Sequence, residues 1–185
     1  MKGTLIVACI FSLMSFSLPK EKVVIEYNAN RELTWADYQA KPNKASSYKA
    51  LTATVVSFSA KSDGKTLQLT LQNTFEPHKS WTKTTENKEL LDHERLHFHI
   101  SEVYARKLRE EILNTKFKSN GQKLMNEISK LYQTKMNELG KYQRNYDKET
   151  DHSIDVKKQK EWERQVFQEL EALKSYSSAE IIIQL

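Results

Sequence analysis

The sequence predicts a single α+β domain, with strands in its first half and helices in its second. Three observations carry this. Ahead of Trp81, short apolar runs alternate with polar residues and are broken by Gly, Pro, Asn and Ser. From Glu86 the apolar period changes to about 3.6, and neither half contains a repeat or a low-complexity tract.

The chain opens with Met1-Lys2, an apolar stretch from Leu5 to Leu18 and the small-x-small site Ser15-Phe16-Ser17, followed by the charged Lys20-Glu21-Lys22. This is the layout of a signal peptide over residues 1–17, cleaved after Ser17, and it predicts a periplasmic or secreted protein of a bacterial envelope. The only cysteine, Cys9, lies inside that leader. Removal of the leader leaves no thiolate for catalysis and no disulfide. Residues 18–185 are the right length for one domain with one core. The net charge of +5 at pH 7 comes from lysines dispersed among glutamates, with no basic block. That excludes a nucleic-acid partner and leaves attraction to an anionic envelope surface open.

Val23-Val24-Ile25-Glu26-Tyr27 is a short strand, and Leu33-Thr34-Trp35-Ala36-Asp37-Tyr38 leads into a loop through Lys41-Pro42-Asn43. The β-branched run from Ala50 to Ala60 turns at Ser62-Asp63-Gly64-Lys65 into Thr66 to Gln72. There Leu67, Leu69 and Leu71 alternate with polar neighbours, which predicts a hairpin with one packed face. Pro77 and Ser80-Trp81 end the strand region. A long helix is expected from Glu86 to about Leu113, free of Gly and Pro and capped by Thr84-Thr85. A second helix runs from Gly121 to Leu139 with Gly140 as its stop, and Lys141 to Asp155 is irregular. A third helix uses Trp162, Val166, Leu170 and Leu173, and Ile181-Ile182-Ile183 is a last strand.

The first long helix carries His93-Glu94-Arg95-Leu96-His97, an H-E-x-x-H pattern. Residues four apart lie about 40° from each other around a helix and roughly 6 Å along it, so both imidazoles can reach one ion. Glu94, rotated about 100° from His93, can act as a general base without competing as a ligand. A hydrolytic zinc site needs a third protein ligand. His99 is about 120° off the clamp, Glu102 points away, and Val103 occupies the place where compact zincins have their third histidine. The segment Tyr146-Asp147-Lys148-Glu149-Thr150-Asp151-His152 supplies the remaining candidates. His152 is the preferred ligand, with Asp147 or Glu149 as its replacement or as an orienting partner.

These residues resemble a family of small secreted bacterial proteins, domain of unknown function 922, predicted to be zinc-dependent proteases of the zincin, HExxH metallopeptidase, group. The resemblance runs from about Leu33 to Val166. It is carried by Leu33-Thr34-Trp35-x-Asp37-Tyr38, by Ser80-Trp81, by Leu90-Leu91-x-His93-Glu94-x-x-His97-Phe98-x-Ile100, by Ala105-Arg106-x-Leu108 and by Tyr146-Asp147-x-Glu149-Thr150-x-His152. Ser153 stands where the family has glycine, and Arg95 stands where the broader signature has an uncharged residue.

The resemblance implies a zincin-like fold and proteolysis. On that reading one Zn2+ per chain is held by His93, His97 and His152. Glu94 is the base, Tyr146 the donor to the oxyanion, and a peptide or protein the substrate. No other cofactor is expected. A non-catalytic, zinc-stabilised envelope binding module and a zinc amidase acting on cell-wall peptide are the alternatives. Trp35, Trp81 and Trp162 read as core anchors, His78 as an exposed loop residue, and His99 as an interior or substrate contact.

Overall fold

The computed structural model describes residues 23–185 and shows the expected α+β order of antiparallel strands followed by three helices. The leader over residues 1–17, its Cys9 and the start of the domain at residue 18 lie outside the described residues. Among the described residues no helix is long and apolar enough to cross a membrane.

The predicted hairpin is β3 (Thr54–Ser62) and β4 (Thr66–Phe75), paired antiparallel from Thr54↔Phe75 to Ser62↔Leu67. At its tip Asp63 Oδ1 accepts from the amides of Lys65 and Thr66, and Gly64 takes φ +86°, a left-handed conformation that costs glycine nothing. Leu67, Leu69 and Leu71 point inward, as their alternation requires. The other edge of β4 receives β1 (Ile25–Glu26) at one end and β6 (Glu180–Gln184) at the other, so β4 is the central strand. Trp81 does not merely close the strand region. Trp81–Thr82 (β5) pairs with Ala50–Leu51 (β2) in a separate two-stranded ribbon.

The first helix, α1 (Lys88–Asn114), is capped by Asn87, whose side chain accepts from the Leu90 amide, and not by Thr84-Thr85. It is the central rod of the fold. Leu108 and Ile112 pack with Leu67, Leu69, Leu71 and Ile181 of the sheet, while Leu96, Ile100 and Val103 pack with Trp162, Val166 and Leu170 of α3 (Val156–Ala172). A third cluster joins Phe98 to Ile25, Leu33, Tyr38 and Phe75.

Charge is also buried along α1. Glu102 Oε1 accepts from Arg106 Nε at 3.0 Å and Arg109 at 2.9 Å. Arg109 in turn donates to the Leu71 and Tyr176 carbonyls, and Arg106 to the Leu170 carbonyl. These bonds tie the rod to the sheet, to α3 and to the chain that follows it.

The second helix, α2, corrects the sequence expectation. It spans Gly121–Glu149 and passes through Gly140 without a break. A glycine in a helix interior costs about 1 kcal/mol relative to alanine. That cost is outweighed by Tyr142 and Tyr146, which continue the apolar face of α2 into the cluster between α1 and α3. Residues 141–149 of the segment expected to be irregular are therefore about two further turns of helix lying against α1, and only residues 150–155 lie outside helix.

Candidate metal centre

α1 and α2 run antiparallel, so Leu108 and Ile112 meet Leu124 and Ile128 at one end while His97 and His93 meet Gln143 and Asp147 at the other. His93 Nε2 lies 3.2 Å and His97 Nε2 lies 3.0 Å from the same oxygen, Asp147 Oδ1. One ligand atom from each of the three residues falls within 4.8 Å of the others. Ligands on a tetrahedral zinc are separated by about 3.3 Å, which follows from metal–ligand distances near 2.0–2.1 Å. The spacing across the two helices fits such an ion. Among the described residues this is the one group of its kind.

The other ring nitrogens fix the tautomer. His93 Nδ1 faces Gln159 Oε1 at 3.2 Å and His97 Nδ1 faces Gln143 Oε1 at 2.5 Å. Each glutamine spends its amide nitrogen elsewhere, Gln159 on Glu163 and Gln143 on the His97 carbonyl. Both glutamines are therefore acceptors towards the rings and both Nδ1 atoms donate, which leaves the two Nε2 atoms, turned towards Asp147, as the atoms an ion would take. The electrostatics agree. Burial disfavours the imidazolium of His97, yet the hydrogen bond it donates to Asp147 and the charges of Glu94 and Asp147 outweigh it and raise the pKa. Burial alone would raise the pKa of Asp147, but its bonds to His93 and His97 hold the carboxyl far below the usual carboxylate range. The centre stabilises positive charge.

Glu94 is buried, and its carboxylate faces the same cleft. Tyr38 lies 2.8 Å from the Thr52 hydroxyl, and Thr52 lies 2.5 Å from Glu94 Oε2. Thr52 has one proton; it goes to the carboxylate, so Tyr38 donates to Thr52. This accounts for the motif at Leu33–Tyr38. The Leu33 carbonyl accepts from Arg95 Nε, Asp37 accepts from the Thr34 amide, and the turn so formed delivers the Tyr38 hydroxyl behind Thr52 and the Glu94 carboxylate.

The remaining candidates are placed as follows. Tyr146 is fully buried, stacked on His93 with ring centroids 4.5 Å apart, and its hydroxyl donates to Gln159 Oε1. It is the wall behind a ligand and does not line the cleft, so the expected donor role is not supported by its position. Glu149 faces away and accepts from the Trp162 indole and Asn145. His152 lines the cleft, its Nδ1 3.9 Å from Asp147 Oδ1 and its ring edge-on to Tyr48. It stands beside the group of three donors rather than within it. His99 is half-buried, its Nδ1 2.9 Å from the Tyr27 hydroxyl, and His78 is exposed. Sequence reasoning missed Thr52, Gln143 and Gln159. Gln143 lies four residues before Asp147, one helical turn, a signal that becomes readable only once α2 is known to continue.

The cleft has a volume of about 790 Å3. One wall is residues 47–52, the other residues 151–154 with Val156, and the floor is His93, Glu94, His97 and Asp147. Fold and site together define an α+β protein with a His-His-carboxylate group able to hold a metal ion. Residues 21–153 match the family model described as "Bacterial protein of unknown function (DUF922)", and the chain belongs to that family. The match contains all three donors, Glu94 and His152, and ends before Gln159. No curated protein and no solved structure matches the chain.

Proposed function

We propose that the protein is an exported, zinc-dependent hydrolase of peptide bonds, a metallopeptidase. The observation that carries this is the convergence of two Nε2 atoms on Asp147 with both Nδ1 atoms committed to glutamine oxygens, beside a buried glutamate in an open cleft. His93, His97 and Asp147 would hold the ion, a set of two imidazoles and a carboxylate that suits catalytic zinc. The layout of residues 1–17 supports export.

A bound zinc ion supplies Lewis acidity, polarising a carbonyl and bringing the pKa of a water molecule to about 7. The chain's own residues do the rest. Thr52 holds one oxygen of Glu94 and so turns the carboxylate towards the floor of the cleft. Glu94 takes a proton from the attacking water and returns it to the leaving amine. His152, on the cleft side of Asp147, donates an N–H to the carbonyl oxygen as it gains charge, the role that Tyr146 is too buried to fill.

The deciding experiment compares wild type with Glu94→Gln, measuring zinc by elemental mass spectrometry and hydrolysis of a denatured protein by mass spectrometry of the products. About one zinc per chain in both proteins, with cleavage by the wild type only, is the expected result. Cleavage that survives the substitution, or a wild type that takes up no zinc, overturns the reading.

A further inference from the structure

We infer that the cleft selects extended polypeptide segments carrying bulky apolar side chains next to the bond to be cut. This rests on the hydrolase reading above and names its substrate class. Eleven large hydrophobic side chains are exposed among the described residues, and four of them, Tyr48, Leu51, Ile154 and Val156, line this one cleft. Isolated exposed hydrophobics are ordinary on any surface; a concentration around a polar floor is not. Tyr48 and Leu51, 51% and 40% exposed, stand on one wall, and Ile154 and Val156, 74% and 47% exposed, on the other. A chain lying over His93, Glu94 and Asp147 therefore runs along two apolar banks, which meet where the Tyr48 ring lies edge-on to His152.

The second bank is held up at a cost. Asp151, His152 and Ser153 have φ of +47°, +50° and +82°, three successive left-handed residues with no glycine among them. Such strain persists only where the surroundings over-determine it. Here the Asp155 amide donates to the Thr150 carbonyl, the His152 amide to the Asp147 carbonyl and the Ile154 amide to the Asp151 carbonyl. The result places His152 over the centre and lifts Ile154 into solvent.

Size points to an extended segment. A volume of about 790 Å3 lies within the roughly 300–1,000 Å3 of ligand clefts. It admits a short stretch of chain and no folded domain. Apolar side chains in extended chain are what unfolded polypeptides offer and folded ones bury.

The test separates selection from chemistry. Short peptides of one scaffold and equal length, with Leu, Phe, Gly or Asp on both sides of the central bond, are titrated by fluorescence anisotropy into zinc-loaded Glu94→Gln. Binding of the Leu and Phe peptides about tenfold or more tightly than the Gly and Asp peptides is expected, the worth of covering one such side chain. That preference should be lost in Glu94→Gln carrying also Ile154→Ser or Val156→Ser, both at exposed positions where folding is spared. Equal affinities across the set, or a preference untouched by both added substitutions, overturns the inference. Hydrolysis by wild type is followed on the same peptides. Selective binding without cleavage would remove the hydrolase reading and leave the selection standing, whereas cleavage without selection would do the reverse.

Discussion

The hydroxyl of Thr52 lies 2.5 Å from Oε2 of Glu94, and the two residues come from opposite halves of the fold, one from the chain after β2 and one from the first turns of α1. With Tyr38 donating to Thr52 from behind, the carboxylate is fixed in orientation before any substrate arrives. On the proposed reading, a base held in this way spends no rotamer entropy at the moment it is used.

Replacing Thr52 by valine keeps the shape and removes the donor. Hydrolysis should fall about tenfold or more in kcat, in line with the loss of other supporting hydrogen bonds around metal sites, while zinc content stays at the wild-type level. Thr52→Ser should recover most of the rate. Steady-state kinetics beside elemental analysis checks this, and an undiminished kcat in the valine variant would remove Thr52 from the mechanism.

The third donor can be identified by metal content alone. Asp147→Ala should lose zinc, because it removes the oxygen on which both Nε2 atoms converge. His152→Ala should keep zinc and lose activity. Gln143→Ala and Gln159→Ala free the Nδ1 atoms of His97 and His93 and should weaken zinc binding about 10–100-fold, measured by competition with a chelating dye. Zinc lost in His152→Ala and retained in Asp147→Ala would exchange the two assignments.

Ser153 occupies a left-handed position at φ +82°. A side chain there costs about 1–2 kcal/mol, and glycine gives back about 0.5–1 kcal/mol through the freedom of its unfolded chain. Ser153→Gly should therefore stabilise by roughly 0.5–1 kcal/mol, a rise of about 1–4 °C in Tm for a chain of this size. Differential scanning calorimetry on the metal-free protein reads it directly, and a fall in Tm would show that the serine makes a compensating contact.

His99 supplies a pH dependence. Burial pulls its pKa from 6.5 down to about 4, and the nearby charges of Arg95 and Arg106 add to the effect. The neutral ring shares a hydrogen bond of 2.9 Å with the Tyr27 hydroxyl and packs on Phe167. Because the folded pKa lies below the unfolded one, the unfolded chain binds more protons between the two values. Stability is whole above pH 6.5 and declines as the pH falls towards 4, by about 3 kcal/mol in all. His99→Gln keeps a hydrogen-bonding group for Tyr27 and cannot titrate. Urea unfolding of the metal-free proteins at pH 7.5 and 4.5 should show wild type losing more stability than this variant; an equal loss would mean that His99 is not the sensor.

The clamp of His93 and His97 could be read directly, since two histidines four apart in a Gly- and Pro-free run have few geometric options. The hairpin was equally legible, because Asp63-Gly64 and the leucine alternation specify both turn and inward face. Gly140 was not. Its local preference signals a helix end, and only tertiary contacts of Tyr142 and Tyr146 reveal that the helix goes on. The same oversight placed Asp147 in a loop, where it ranked below His152 as a ligand, and hid Gln143. Thr52 lies far from Glu94 in sequence and looks like any strand threonine, so its role depends wholly on the approach of the ribbon to α1.

The unbroken run of α2 makes chain length part of the site. Ile128 is seated between the sheet and α1, while Gln143 and Asp147 sit further along the same rod opposite His97 and His93. One residue inserted between Ile128 and Gln143 would turn everything beyond it by about 100° and slide it about 1.5 Å, carrying Asp147 out of reach of both imidazoles. The same insertion in the connector at residues 115–120 would leave both helices in register. The spacing from the sheet contact to the carboxylate thus works as a ruler, and drift in length can be absorbed at the connector but not along the rod.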